Sequence, residues 1–290
     1  MKQVSQKRNF IFFGEDVFSL AVLESLVEGR LELLPLATVM LEPISFSGRR
    51  LAEYCENRGI PLIVTRSVKS EDFLAKFDKL EYDLIVSAHF QRILPVRIFN
   101  RARAGALNLH PSLLPKYRGM APQHWPIILG DAETGVTVHR IDDGVDTGRI
   151  MRQVRIPLDP EIYIHELQIK FLAVYRSIMI EAVERLLSGD LGEEQSAAGI
   201  SYFHKIQDTD MEIKAEMDIT RAYSLVRAFS FPYPGARFGD IRIMKAKLVG
   251  EELLKELQIS ANSPALQQRG ASRYLILKNG TLELTKWMSI

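Results

Sequence analysis

The first 110 residues alternate short, continuously apolar runs with stretches whose apolar residues recur every three or four positions. The first pattern is typical of strands that are buried on both faces, and the second is typical of the helices that cover them. The expected strands are 9–13, 33–40, 62–65, 84–87 and 106–109, and the expected helices are 17–28, 48–58, 71–77 and a short one after Pro95. This order predicts an α/β fold with a Rossmann-like, mostly parallel sheet and helices on both faces.

The composition changes near residue 205, where a polar, turn-like stretch follows a long amphipathic helix. We therefore expect a first domain over 1–205 and a small β-rich, OB-like domain over 206–290. Short strands are expected within the second domain, with a hairpin at 278–281 and a flexible connection over 261–272.

Overall composition narrows the classes of protein that this chain can belong to. A net charge of +1 gives no global field that would favour nucleic acid or an anionic membrane. No apolar run approaches the roughly 20 residues of a membrane span. The single cysteine, Cys55, cannot form an internal disulfide and fits a reduced, cytoplasmic setting. A homodimer remains open.

Strand 106–109 leads into the most informative stretch of the chain, 108–119 (NLHPSLLPKYRG). Asn108 and His110 are two residues apart, so they share one face of the strand end. An amide N–H can stabilise an oxyanion and an imidazole can move protons near neutral pH, which are the two needs of acyl transfer. About 35 residues later, the loop 142–148 (DDGVDTG) offers Asp146 as a carboxylate that can orient the imidazole.

These residues have ordinary structural explanations as well. Asn108 can be a turn or cap residue, His110 can serve packing, and Asp146 can stabilise a turn. Ser112 is a conceivable nucleophile, but it lacks the Gly-x-Ser-x-Gly elbow. The chemistry of the residues alone leaves these alternatives open. His89, His124, His139 and His204 lack ligand-like spacing, so no metal is expected.

The motifs resemble those of the formyltransferases that use 10-formyltetrahydrofolate. The similarity covers nearly the whole chain and rests on 108–119, 135–137, 142–148, 88–95, 201–203, 225–228 and 232–236. The resemblance implies transfer of a formyl group from 10-formyltetrahydrofolate to a primary amine. It also implies that the catalytic residues are Asn108, His110 and Asp146. The residues that it implies for the folate pocket are Phe90, Gln91, Ile93, Leu94, Asp142 and Gly144.

Two features of the sequence bear on the acceptor. Methionyl-tRNA enzymes of this family have a long basic loop after the second strand, whereas 41–50 here is short and has only two basic residues. Residues 206–290 are nearly balanced in charge, with twelve Lys or Arg against ten Asp or Glu. These features favour a small acceptor, most of all a nucleotide-linked amino deoxysugar, and make nucleic acid and membrane partners unexpected. The residues expected to bind it are Lys116, Tyr117, Arg118 and Tyr202.

Three other activities remain as alternatives at this point. They are methionyl-tRNA formylation, formylation of a siderophore or amino-acid amine, and hydrolysis of formyltetrahydrofolate.

Overall fold

A computed structural model describes residues 7–250, 252–253 and 265–290. Its chain divides into two compact units. The first comprises Met1–Gly119, Gly135–Ile156 and Lys170–Tyr202, and the second comprises Met120–Thr134, Pro157–Ile169 and Phe203–Ile290. The boundary expected near 205 is close to the last of these divisions, and the second unit also takes in two earlier segments.

A seven-stranded sheet forms the centre of the first unit. Its strands are β1 (Arg8–Phe13), β2 (Leu33–Leu41), β3 (Leu62–Thr65), β4 (Leu84–Ala88), β5 (Gly105–His110), β7 (Glu133–Arg140) and β8 (Ile150–Pro157). They lie in the order β3-β2-β1-β4-β5-β7-β8, in which β1 to β5 are parallel and β7 runs antiparallel to β5. The predicted Rossmann-like sheet is confirmed.

The core explains why the last four positions of the first strand are all apolar. Phe10, Ile11, Phe12 and Phe13 are all completely buried, as expected for a strand that is covered on both faces. The helices that alternate with these strands are α1 (Val17–Glu28), α2 (Arg49–Arg58), α3 (Glu71–Phe77) and α4 (Val96–Phe99). Asp16 caps the first of these helices by accepting the backbone N–H groups of its first turn.

Several further elements follow β5 along the chain. They are the two-residue strand β6 (Arg118–Gly119), α5 (Trp125–Leu129), α6 (Ile164–Leu187), the two-residue strand β9 (Tyr202–Phe203), a 3₁₀ turn (Asp208–Met211) and α7 (Ile219–Ala228). No helix in the described ranges is both long and apolar enough to span a membrane.

The second unit contains a five-stranded antiparallel sheet, which confirms the predicted β-rich C-terminal region. Its strands are β10 (Ala236–Phe238), β11 (Ile241–Leu248), β12 (Ala265–Arg269), β13 (Ser272–Leu277) and β14 (Gly280–Ser289). The hairpin expected at 278–281 joins the last two strands, where Leu277 pairs with Gly280.

The flexible connection expected over 261–272 is wrong for its second half. Residues 265–269 form β12, which pairs with β13 from Ala265 opposite Ile276 to Arg269 opposite Ser272. The segment lacks β-branched residues, and the hydrogen bonds of its neighbour rather than its own propensity make it a strand. Residues 261–264 lie outside the described part of the chain.

Candidate active site

The end of β5 brings two polar side chains to the same face of the sheet. Asn108 is partly exposed, and His110 is buried with a side-chain exposure of 6%. Nε2 of His110 lies 2.8 Å from the carbonyl oxygen of Tyr117. Because a carbonyl oxygen only accepts, Nε2 carries the proton and Nδ1 is left as the basic nitrogen.

The acidic loop folds back towards this strand end. Asp146 has a backbone φ of +54°, a left-handed conformation that aspartate tolerates better than most residues. Its Oδ2 accepts the backbone N–H of Gly119 at 2.8 Å and lies 3.6 Å from Nδ1 of His110. The structure therefore brings the predicted carboxylate to the predicted imidazole.

Burial and charge set the protonation of this pair. Burial lowers the pKa of His110, although the negative charge of Asp146 partly opposes this effect. Burial alone would raise the pKa of Asp146. The neighbouring imidazoles and the Gly119 N–H outweigh it and hold the pKa of that carboxyl far below its usual range. At neutral pH the site therefore combines a neutral imidazole with an ionised carboxylate.

His139 also belongs to this cluster, although no pattern in the sequence predicts a role for it. It lies on β7 directly opposite Asn108, and its Nε2 is 3.2 Å from Asn108 Nδ2 and 3.4 Å from Asp146 Oδ1. The signal that would have found it is strand register, because a residue paired with Asn108 must point to the same face. That register is not readable from one sequence.

Arg118 is buried, and it contacts a second residue that the sequence did not reveal. Its guanidinium donates to Gln195 Oε1 at 2.7 Å and to the hydroxyl of Tyr202 at 2.8 Å. Gln195 Nε2 in turn donates to the backbone oxygens of Asp146 and Gly148, each at 2.8 Å. Gln195 lies in an irregular segment, and no motif marks it.

The four residues expected to bind the acceptor fall into different environments. Arg118 and Tyr202 contact each other, and the Tyr117 backbone holds His110. Lys116, in contrast, is exposed. In residues 7–250, 252–253 and 265–290, no carboxylate lies within ion-pair distance of Arg118. The hydrogen-bond partners described above for its buried guanidinium, Gln195 and Tyr202, are therefore neutral.

The residues expected around the folate lie on two loops. After β4, Phe90 packs edge-on against Phe13 at 5.2 Å, Ile93 is 60% exposed and Leu94 is buried in the hydrophobic core. The Gln91 backbone N–H donates to Glu15.

In the loop after β7, Asp142 accepts the Gly144 N–H at 3.2 Å and the Thr147 hydroxyl at 2.7 Å. Exposed apolar side chains beside backbone polar groups are what a flat heteroaromatic ring requires.

In the described part of the chain, no group of three or more His, Cys, Asp or Glu side chains is arranged to hold a metal ion.

Comparison with solved structures shows the same fold in two sugar-modifying enzymes. One is WlaRD, a sugar 3N-formyl transferase solved with dTDP and 5-N-formyl-THF; it has a TM-score of 0.73 and 20% identity, over 97% of this chain and 100% of that one. The other is the N-formyltransferase of Helicobacter canadensis, solved with folinic acid and dTDP-3-aminofucose. It has a TM-score of 0.73 and 20% identity, over 98% of this chain and 100% of that one.

Comparison of sequences points to relatives with a different acceptor. The methionyl-tRNA formyltransferase of Bacteroides fragilis is 31% identical over 78% of this chain and 72% of its own length. That of Marinobacter nauticus is 28% identical over 95% of this chain and 89% of its own length. The formyl transferase family model matches residues 47–183. The chain therefore belongs to the formyl transferase family and is a formyltransferase.

Proposed function

We propose that this enzyme moves a formyl group from 10-formyltetrahydrofolate to a primary amine through Asn108, His110 and Asp146. The observation that carries the proposal is the convergence of a carboxamide, an imidazole and an ionised carboxylate at the end of β5. These are the groups that acyl transfer to nitrogen requires.

Each group has one task in the proposed reaction. The amine nitrogen attacks the formyl carbon, and the carbonyl oxygen becomes an oxyanion that accepts an N–H of Asn108. Nδ1 of His110 takes the proton released by the attacking nitrogen, and the resulting imidazolium is stabilised by Asp146 at 3.6 Å. Collapse of the intermediate breaks the bond to the folate nitrogen, which receives that proton from His110.

Phe90 and Ile93, together with the polar backbone around Asp142, would hold the pterin of the folate. The supporting observation is that Ile93 is largely exposed while Phe90 is anchored on Phe13. Leu94 contributes through its backbone, since its side chain belongs to the hydrophobic core. The donor supplies an activated formyl group, and the protein residues orient it.

For the acceptor, we propose a nucleotide-linked amino deoxysugar. A buried guanidinium without a carboxylate partner is suited to a phosphate, and Arg118 is such a group. The loop 42–48 between β2 and α2 is short and contains no Lys or Arg, which leaves little for RNA backbone binding. Both structural neighbours described above were solved with dTDP or a dTDP-linked sugar.

Methionyl-tRNA is the second candidate acceptor, because specific observations favour it. The curated relatives carry that name. In addition, the C-terminal sheet is more basic than the domain as a whole. The segments 236–248 and 265–290 contain eight Lys or Arg against two Asp or Glu. Five of the eight are exposed: Lys245, Lys247, Arg269, Lys278 and Lys286. A basic sheet of this kind suits a nucleic-acid backbone.

A cytoplasmic location is part of the same proposal, consistent with a single cysteine that is free and buried.

One assay separates the candidates. The purified chain is given 10-formyltetrahydrofolate with dTDP- or UDP-linked amino sugars, with initiator methionyl-tRNA, with free amino-acid or siderophore amines, or with no acceptor. Release of tetrahydrofolate and the mass of the formylated product are measured. We expect turnover with an amino-sugar nucleotide.

Turnover with methionyl-tRNA alone, with a KM that rises steeply with salt, would select the second candidate. Formate release without an acceptor would identify a hydrolase. Absence of turnover under every condition would contradict the proposal.

A further inference from the structure

His139 lies beside Asn108, a contact that no sequence pattern predicts. The two residues are register partners on antiparallel strands, and their Nε2 and Nδ2 atoms are 3.2 Å apart. The side chain of His139 is only 3% exposed. A buried imidazole in contact with the proposed oxyanion donor calls for an explanation of what it does there.

The tautomer of His139 follows from its other nitrogen. Nδ1 lies 2.8 Å from the carbonyl oxygen of Arg140. A carbonyl oxygen can only accept, so Nδ1 carries a proton. In the neutral ring Nε2 then has a lone pair and can accept a hydrogen bond. The contact with Asn108 is then a hydrogen bond in which the amide Nδ2 donates and Nε2 accepts.

A second proton on His139 would direct Nε2 to Asp146 Oδ1 at 3.4 Å instead. Asp146 can balance one imidazolium, however, and Nδ1 of His110 also faces it. The two imidazole rings are 6.4 Å apart, so two cations beside one carboxylate would leave a buried positive charge unbalanced. His110 needs Asp146 when it becomes charged, whereas neutral His139 already has a donor in Asn108.

We propose that His139 is a positioning residue that fixes the orientation of the Asn108 carboxamide, an inference that rests on the proposed role of Asn108. The two ends of a carboxamide have almost the same shape, and only their partners decide which end faces a site. By accepting one N–H, His139 fixes the nitrogen end of the amide and leaves the second N–H for the oxyanion. A reversed amide would present its oxygen, which repels an oxyanion.

The test compares two alternative substitutions of His139 and combines one of them with Asn108→Ala in a double-mutant cycle. His139→Phe keeps a ring but removes the acceptor, and His139→Gln keeps an acceptor in its amide oxygen. We expect His139→Phe to lower kcat about 10- to 100-fold, less than loss of the oxyanion donor itself, with donor KM nearly unchanged. His139→Gln should restore most of kcat. In an Asn108→Ala background, His139→Phe should cost nothing further.

The outcomes distinguish this inference from the function on which it rests. If Asn108→Ala keeps near-normal kcat, the role of Asn108 in the proposed function is wrong and the positioning role falls with it. If Asn108→Ala is impaired while His139→Phe is normal, or if the two losses multiply, the inference alone is overturned. Thermal unfolding checks that each variant folds, and His139→Leu replaces the Phe variant in the cycle if that variant is unstable.

Discussion

The backbone N–H of Gly119 donates to Oδ2 of Asp146 at 2.8 Å, and this bond joins the two motifs that dominate the sequence. It also contributes to the low pKa of Asp146, since a hydrogen bond to a carboxylate favours its charged form. A neutral Asp146→Asn side chain can still accept this N–H but cannot balance a charged His110. We expect kcat to fall about 10,000-fold, as when a triad aspartate is replaced. Steady-state kinetics, with thermal unfolding as a control for folding, would measure it.

Removal of either of the other two groups should affect turnover much more than binding. We expect His110→Ala to lower kcat about 100- to 10,000-fold and Asn108→Ala to lower it about 100- to 1000-fold. Neither side chain belongs to the surface proposed for the pterin, so the dissociation constant of a folate analogue should stay within a few-fold. Calorimetric titration checks this. His165→Ala is the matched control, because His165 is an exposed histidine to which the proposed reaction gives no role.

The acid limb of the pH–rate profile should report His110. Burial places its pKa below the ordinary 6.5, and the neutral ring is the form that accepts a proton. We therefore expect kcat at saturating substrates to fall as the pH drops through a value below 6.5. Because the charge of Asp146 raises the pKa of His110, Asp146→Asn should move this limb to still lower pH. An unchanged or higher midpoint in that variant would contradict the pairing.

His124 should make the folded protein lose stability in acid. Burial lowers its pKa to about 4, from about 6.5 in the unfolded chain. Between these values the unfolded state binds more protons, so the free energy of unfolding decreases as the pH falls. The loss should reach about 3 kcal/mol from this residue near pH 4. Its Nδ1 has no hydrogen-bond partner in the described residues, and its ring stacks on Phe229 at 5.7 Å.

His124→Phe keeps the aromatic stacking and removes the titration, so it should flatten this dependence. Urea unfolding at a series of pH values from 4 to 7 measures the slope. His165→Gln is the control, because His165 is exposed and its replacement should leave the slope of the wild type. Parallel curves for the wild type and His124→Phe would show that His124 does not titrate as described.

Gly148 is required by close contact rather than by flexibility. A Cβ at this position would lie 1.9 Å from the backbone oxygen of Arg140, an atom that cannot move without displacing β7. We expect Gly148→Ala to lower the free energy of unfolding by about 1–3 kcal/mol and to reduce kcat by displacing Asp146. Gly250→Ala is the control, since no atom of the described residues lies within 4 Å of its added Cβ. Equal behaviour of the two variants would argue against this close packing.

Much of the first unit was predictable because its elements are specified locally. The sequence predicts α1 and α3 with their observed bounds, because the N-cap Asp16 marks the start of α1 and the acidic first turn Glu71-Asp72 marks the start of α3. The strand β12 was missed because it contains no β-branched or aromatic residue and depends on β13 for its hydrogen bonds. The conformational preferences of these residues do not indicate which strand they pair with.

The candidate site likewise contains contacts that the sequence predicts and contacts that it does not. Asn108 and His110 share a strand, so their common face is readable from a two-residue spacing. His139 and Gln195 come from positions 31 and 87 residues after Asn108, and their contacts depend on strand register and on the path of an irregular segment. A single sequence specifies neither.

Gln195, which holds Arg118, lies in a different kind of structure from the proposed reacting groups. Asn108, His110 and His139 lie on strands, whereas Gln195 belongs to the segment 195–201, which has no helix or strand. Irregular segments accept insertions and exchanges more readily than core strands. If Arg118 binds the acceptor as proposed, substitutions in this segment should therefore change which amine is accepted while leaving the proposed reacting groups in place.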